Sequence, residues 1–199
     1  MTSTDGQNGS SSGLSLAIRL RDGSPDAWRE LVELYGPLVD SWCRRAGLSE
    51  PARADVGQDV FLSVHRGIGE FDAKRPGATF RGWLWIIARN AVLAWLRRNQ
   101  VRAAGGSTAQ DRLAEVVDPW GNDSSVDQPT TGETASLLQR ALAQIRPTVD
   151  ATTWDAFWNM TVLGRSAPDV ADELGLSAAN VRQIKSRMLR RLRQQLGDR

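Results

Sequence analysis

The stretch that most limits what this chain can fold into is residues 166–192, SAPDVADELGLSAANVRQIKSRMLRRL. Two short helical patterns flank a Gly, and the second runs on as a basic helix. Ala171, Gly175 and Val181 occupy the three restricted positions of a helix-turn-helix. A small residue lets the helices cross closely, and a Gly past the first helix adopts the left-handed conformation that ends it. Val181 packs the second helix back onto the first, and Val170, Leu174, Leu176 and Ile184 complete the apolar seam. Ser166 with Asp169 reads as one N-cap and Ser177 as the next. In such a motif the second helix lies in the major groove with its first residues near base edges. The positions expected to face DNA are Ser177, Ala178, Asn180, Arg182, Gln183, Lys185, Ser186, Arg187, Arg190 and Arg191. Residues 182–193 carry six basic side chains and no acid, which argues against a motif used only for packing.

Charge is informative through its distribution, because the net charge is only +2. No acid lies between Asp72 and Asp111, a stretch holding Lys74, Arg75, Arg81, Arg89, Arg97, Arg98 and Arg102. Residues 111–133 reverse this, with Asp111, Glu115, Asp118, Asp123, Asp127 and Glu133 against Arg112. Two basic blocks around an acidic middle suggest two separate contacts with a polyanion.

Every convincing segment has helical period, so the expected fold is all-α. It comprises two small helical domains joined by a flexible linker, the C-terminal one a helix-turn-helix. Residues 1–13 are rich in Ser, Gly and Thr and read as a disordered tail. Residues 14–100 form the first domain. Ser24-Pro25 opens a helix with Trp28, Leu31, Val32, Tyr35, Val39 and Trp42 at 3/4 spacing, bent at Gly36-Pro37. Ser49-Glu50-Pro51 starts the next, to about residue 65. Its core face is Val56, Val60, Phe61 and Val64, and Asp55, Gln58, Asp59 and Leu62 lie opposite. A loop with Pro76-Gly77 precedes a long helix capped by Thr79 and ending near Asn99, with Phe80, Leu84, Ile87, Ala91 and Trp95 on one stripe. Residues 101–132, rich in turn formers, read as an acidic linker, with a short local contact at 113–117. Residues 133–199 form the second domain. Leu137, Leu138, Ala141, Leu142 and Ile145 line one helix; Trp154, Phe157, Trp158 and Val162 line the next.

Enzymatic readings find little footing. The chain has one His, at 65, and one Cys, at 43, with no Gly-rich phosphate loop and no metal-ligand cluster. His65 suits a helix C-terminus, and Cys43 reads as a small core residue. No catalyst, cofactor, metal or small-molecule substrate is expected. With no secretory signal and no membrane-length apolar run, the expected location is cytoplasmic, without membrane contact.

Two stretches carry a family resemblance. Asp55-Val56-Gly57-Gln58-Asp59-Val60-Phe61 resembles the D-x-x-Q-E/D-x-F stretch of bacterial sigma factors of the sigma-70 family. Phe80-Arg81-Gly82-Trp83-Leu84-Trp85-Ile86-Ile87-Ala88-Arg89-Asn90 resembles their F-R-x-W-L-x-x-I-A-R-N stretch. With the C-terminal helix-turn-helix, the order of domains is similar to that of the extracytoplasmic function (ECF) group. The resemblance covers residues 14–98 and about 137–196. The chain departs in lacking the acid that family members often place near Ala94. Arg182-Gln183-Ile184 also intervene between Val181 and Lys185-Ser186-Arg187, which shifts the register of base contacts.

The resemblance implies a subunit that binds core RNA polymerase, recognises the −35 and −10 promoter elements and initiates transcription. Asp55, Gln58, Asp59 and Leu62 would meet the β′ clamp helices, where short acids suit an Arg-rich partner; the β subunit is a further contact. The −10 element would fall to the loop holding Asp72, Lys74 and Arg75 and to Arg81, Trp85, Arg89, Asn90, Arg97 and Arg98. A flipped base needs a snug pocket, and an amide such as Asn90 both donates and accepts. Trp83 fits a core role, while Trp85 suits packing and stacking equally. Promoter DNA is thus a partner, and the resemblance allows an anti-sigma protein as another. The competing reading is a helix-turn-helix regulator that binds DNA without joining polymerase; it accounts for the C-terminus but not for the two N-terminal stretches. The two promoter elements lie on the order of 60 Å apart, at roughly 34–36 Å per DNA turn. A linker of about 30 residues reaches roughly 100 Å extended but spans only about 30 Å as a coil, so a free chain is expected to be more compact than its promoter-bound form.

Overall fold

The computed structural model describes residues 15–104, 119–120 and 131–198, with the side chains of 100–104 and 131 excepted. The expected tail, most of the expected linker and the local contact at 113–117 lie outside these residues. Among the described residues every regular element is helical.

Helices α1 (Leu16–Arg21), α2 (Pro25–Arg45), α3 (Glu50–Gly67) and α4 (Phe80–Ala104) build the first layer. Local chemistry sets their starts. Ser24 accepts a hydrogen bond from the Ala27 amide at 3.3 Å, with Pro25 at the first helical position. Thr79 accepts from the Gly82 amide at 3.0 Å. α2 is not interrupted at Gly36-Pro37 and continues to Arg45. A 3-10 turn, Ile68–Glu70, leads from α3 into the loop before α4.

α3 turns Ala52, Val56, Val60 and Val64 onto α2 and α4, all buried. Leu31, Leu34, Tyr35, Leu38 and Trp42 of α2 and Phe80, Leu84, Trp85 and Ala88 of α4 join them in one apolar cluster. Its aromatic spine is a run of edge-on rings. Trp42 and Trp85 lie 5.1 Å apart, and Trp85 and Trp120 lie 4.9 Å apart. Such pairs add to the stabilisation from buried area. Val32, expected in this face, is exposed.

After the second described stretch come α5 (Thr131–Ile145), a 3-10 turn (Arg146–Thr148), α6 (Ala151–Thr161), α7 (Ala167–Leu174) and α8 (Ala178–Gln195). α6, α7 and α8 enclose a second cluster of Ala156, Phe157, Val170, Ala171, Val181, Ile184 and Met188, closed by Ile145 of α5. α5 is shared, because Leu137 and Ala141 are buried in the first cluster. Two expected core residues are surface residues instead: Trp158 is 37% exposed and Val162 51%. α6 ends at Thr161, so Val162 falls past its last turn, and Trp158 stacks outside on Trp154, rings 5.8 Å apart.

Candidate nucleic-acid and protein interfaces

The α7–α8 pair has the cap chemistry read from its sequence. The Ser166 hydroxyl donates to the Asp169 carboxylate at 2.7 Å and accepts from the Asp169 amide at 3.3 Å. Gly175 ends α7 at φ 66°, ψ 32°, a conformation that costs any residue with a Cβ. The Ser177 hydroxyl accepts from the Asn180 amide at 3.1 Å and starts α8. Ala171 and Val181 are buried where the helices cross.

α8 then divides by face. Arg182, Gln183, Ser186, Arg187 and Arg190 are exposed, Asn180 and Lys185 are half-buried, and Ile184 and Met188 point into the core. Three positions expected at DNA have other engagements. Ala178 packs against the second core, Ser177 spends its hydroxyl on the cap, and the Arg191 guanidinium donates to the Thr148 hydroxyl at 2.6 Å. The free basic face is therefore narrower than the composition suggested.

On the first layer, Asp55 and Gln58 are exposed on α3, and Leu62 is 52% exposed. Beside them α2 and α3 leave a groove of about 830 Å³, lined on its apolar side by Trp28, Val32, Val39, Phe61 and Leu62. Phe61, expected in the core, is half-buried and forms part of this wall. Asp59 differs from its neighbours: its carboxylate accepts from Arg98 of α4 at 3.1 Å. A residue assigned to protein contact and one assigned to DNA thus meet in a single surface ion pair.

Between α3 and α4, a concavity of about 450 Å³ is lined by Asp59, Leu62, Asn90, Ala94 and Arg98. A smaller one, about 300 Å³, sits under the loop before α4, lined by Phe71, Asp72, Arg75, Gly77, Thr79, Trp83 and Ile86. The loop is shaped from within. The Lys74 amide donates to the Asp72 carboxylate at 2.8 Å, and Gly77 takes φ 76°. Lys74 itself is exposed. The structure thus brings Asp72 and Arg75 together at the small pocket, and it places Asn90 at the other concavity, about three turns into α4.

Two expected base or phosphate contacts turn inward. Trp85 is 5% exposed, held between Trp42 and Trp120, and has no face to offer a base. Arg81, one turn before it, lies over the Trp42 ring at 5.8 Å, a cation–π contact. Arg89 is half-buried, whereas Arg97 and Arg98 are exposed. Trp83 packs against Phe71 and Phe80, with ring centroids 5.2 and 5.5 Å away.

Sequence reasoning passed over Trp120. It stood in a stretch of turn formers, where an isolated indole was the one signal available. It also passed over the polar contacts of the last residues, where the Leu196 carbonyl accepts from the Tyr35 hydroxyl at 2.7 Å and the Asp198 carboxylate accepts from the Phe80 amide at 2.8 Å. Cys43 is buried, and burial together with Asp40 pushes its thiol up to about 11 against the pull of Arg53. Among the described residues no group of three side chains could hold a metal ion, and no helix is long and apolar enough to cross a membrane.

A capped helix-turn-helix with an exposed basic face, behind a helical layer with an acid-and-amide face, defines a DNA-binding protein with a second, protein-directed surface. Residues 31–102 match Sigma-70 region 2. RNA polymerase sigma factor NccH of Alcaligenes xylosoxydans xylosoxydans is 28% identical over 178 residues, 88% of each chain. RNA polymerase sigma factor CarQ of Myxococcus xanthus is 28% identical over 180 residues, 90% of this chain and 95% of that protein. ECF RNA polymerase sigma factor RpoE of Cereibacter sphaeroides is 27% identical over 188 residues, 92% and 94% of the two. A solved structure of CnrH in complex with the cytosolic domain of CnrY aligns over 89% of this chain and 92% of that one, at 24% identity and a TM-score of 0.36. The chain thus carries a stretch matching Sigma-70 region 2 and is similar over most of its length to bacterial RNA polymerase sigma factors, ECF members among them.

Proposed function

We propose that the chain joins core RNA polymerase through the exposed α3 face of Asp55, Gln58 and Leu62, and carries two DNA readers on separate elements. The loop at 72–78, with Asn90, Arg97 and Arg98 of α4, engages the −10 element. The exposed face of α8, Arg182, Gln183, Ser186, Arg187 and Arg190, reads the −35 element. Phosphate contacts from the arginines give affinity, and a few base-edge contacts select sequence. The domains are residues 14–100 and 133–199, joined by 101–132. The protein works in the cytoplasm as a specificity subunit and catalyses nothing itself. An anti-sigma protein is a further partner in this reading, supported by the ECF resemblance.

The observation that carries the reading is the split of surface chemistry: acid and amide exposed on α3, bases exposed on α8, each behind an apolar face that fixes its direction. Run-off transcription by core polymerase on genomic promoter fragments tests it. Transcripts that start only when this protein is added support the reading. Promoter-fragment binding without any gain in transcription would favour a DNA-binding regulator.

A further inference from the structure

α1 belongs to neither reader and lies outside the stretch that matches Sigma-70 region 2. Its inner face, Leu16, Ala17 and Leu20, is buried in the first cluster, which fixes where the helix points. Its last residue, Arg21, is exposed, yet the guanidinium donates to the Phe71 carbonyl at 2.6 Å, 50 positions along the chain. Phe71 is where the loop before α4 begins. Its ring is buried against Phe80 and Trp83, with centroids 5.5 and 5.2 Å away, and forms a wall of the small pocket. The Phe71 carbonyl shares one planar peptide with the Asp72 amide, so a bond to the first sets the direction of the second. From Asp72 onward the loop is shaped by local bonds. The Lys74 amide donates to the Asp72 carboxylate, the Arg75 amide to the Asp72 carbonyl at 3.3 Å, and the Ala78 amide to the Arg75 carbonyl at 3.0 Å. Such bonds give a turn its form but do not orient it on the body of the protein. The ends do that: Thr79 caps α4 at one, and Arg21 grips the other.

From this geometry we infer that Arg21 is a positioning residue for the −10 pocket: by holding the Phe71 carbonyl it fixes the peptide from which Asp72 and Arg75 project. The inference rests on the assignment of the 72–78 loop to the −10 element proposed above. A base taken out of its stack is held best by groups already in place, because ordering the loop at the moment of capture would offset the gain. A charged donor on a carbonyl is the stronger kind of hydrogen bond, and a guanidinium keeps its charge at any working pH. Arg21 does not line the pocket, so it acts through the loop and not on the base. Because its side chain is exposed, the first core does not depend on it.

Arg21→Gln removes the charged donor and Arg21→Lys keeps one. Arg29→Gln, at an exposed α2 site bonded to Asp26, removes the same charge away from the loop. Each full-length chain is assembled with core polymerase and titrated with the single-stranded −10 segment of a promoter found by run-off transcription, intact or with one abasic position at a time. The largest ratio of intact to abasic affinity reports base capture. Expected for Arg21→Gln is a fall of about tenfold in that ratio, the order of one charge-assisted hydrogen bond, with abasic affinity unchanged. Arg21→Lys should recover the ratio and Arg29→Gln should leave it alone. Hydrogen exchange on the free chains follows the loop without polymerase: the Lys74, Arg75 and Ala78 amides should exchange faster in Arg21→Gln, at unchanged helical circular dichroism. Unchanged loop exchange, or an unchanged ratio in a holoenzyme that does discriminate, would overturn the positioning role. Equal losses on intact and abasic segments with a flatter salt dependence would also overturn it, by making Arg21 a phosphate contact. If the parent shows no base dependence at all, the −10 assignment fails and the role of Arg21 in capture fails with it, while exchange still decides whether Arg21 holds the loop.

Discussion

Trp85 and Arg81 sit one turn apart in a stretch whose charge pattern points to DNA, yet both face Trp42. The sequence could not separate them from Arg97 and Arg98, because a basic or aromatic side chain on a helix has no inward or outward label until its neighbours are placed. What decides is the position of Trp120, remote in sequence and packed edge-on against Trp85. Trp85→Ala should therefore cost about 3–5 kcal/mol, the usual range for deleting a buried large aromatic, read from the midpoint of urea unfolding. A loss below about 1 kcal/mol would mean that the indole is not held in the core. Asp55 is the opposite case, exposed, and the polymerase-facing role proposed for it rests on motif position alone. Asp55→Arg is expected to keep the melting temperature and lose core polymerase in a pull-down, while Asp59→Arg should also disturb α4 through Arg98.

Elements were read more reliably than side chains. The starts of α2, α4, α7 and α8 are written in Ser24, Thr79, Ser166 and Ser177, because a cap bond reaches only three residues. Gly175 was legible for the same reason, and Gly175→Ala should lower stability by about 1–2 kcal/mol through its left-handed backbone. Thermal melting checks this. α8 was harder to read, since composition counts bases but not their engagements: Arg191 is bonded to Thr148. Arg182→Ala or Gln183→Ala should relax −35 selectivity by about 1–3 kcal/mol at one base position. Arg190→Ala should weaken all sequences alike and flatten the salt dependence. Competition binding of holoenzyme to a library of −35 variants separates the two patterns, and identical profiles for all three would place the base contacts elsewhere on the helix.

At the scale of the whole molecule, the docking of the two layers had no sequence signal, because its contacts join residues more than a hundred positions apart. Glu30 links that docking to pH. Burial raises its carboxyl pKa, but the Arg19 guanidinium and the Gln195 amide outweigh burial and leave it below the ordinary carboxylate value. The stabilisation is therefore complete above the pKa of an unfolded glutamate and is lost as pH falls through the lowered folded value. Glu30→Gln should flatten the acid side of a melting-temperature profile below about pH 5; a parallel, merely displaced profile would assign the acid sensitivity to other groups. The run of indoles from Trp42 through Trp85 to Trp120 has a spectroscopic consequence. Rings about 5 Å apart in a fixed edge-on arrangement couple their electronic transitions, giving a circular dichroism signature that isolated tryptophans lack. Trp120 thus supplies an optical reporter of its own, and any displacement of its ring from Trp85 would be visible as the loss of exciton coupling, with no label attached.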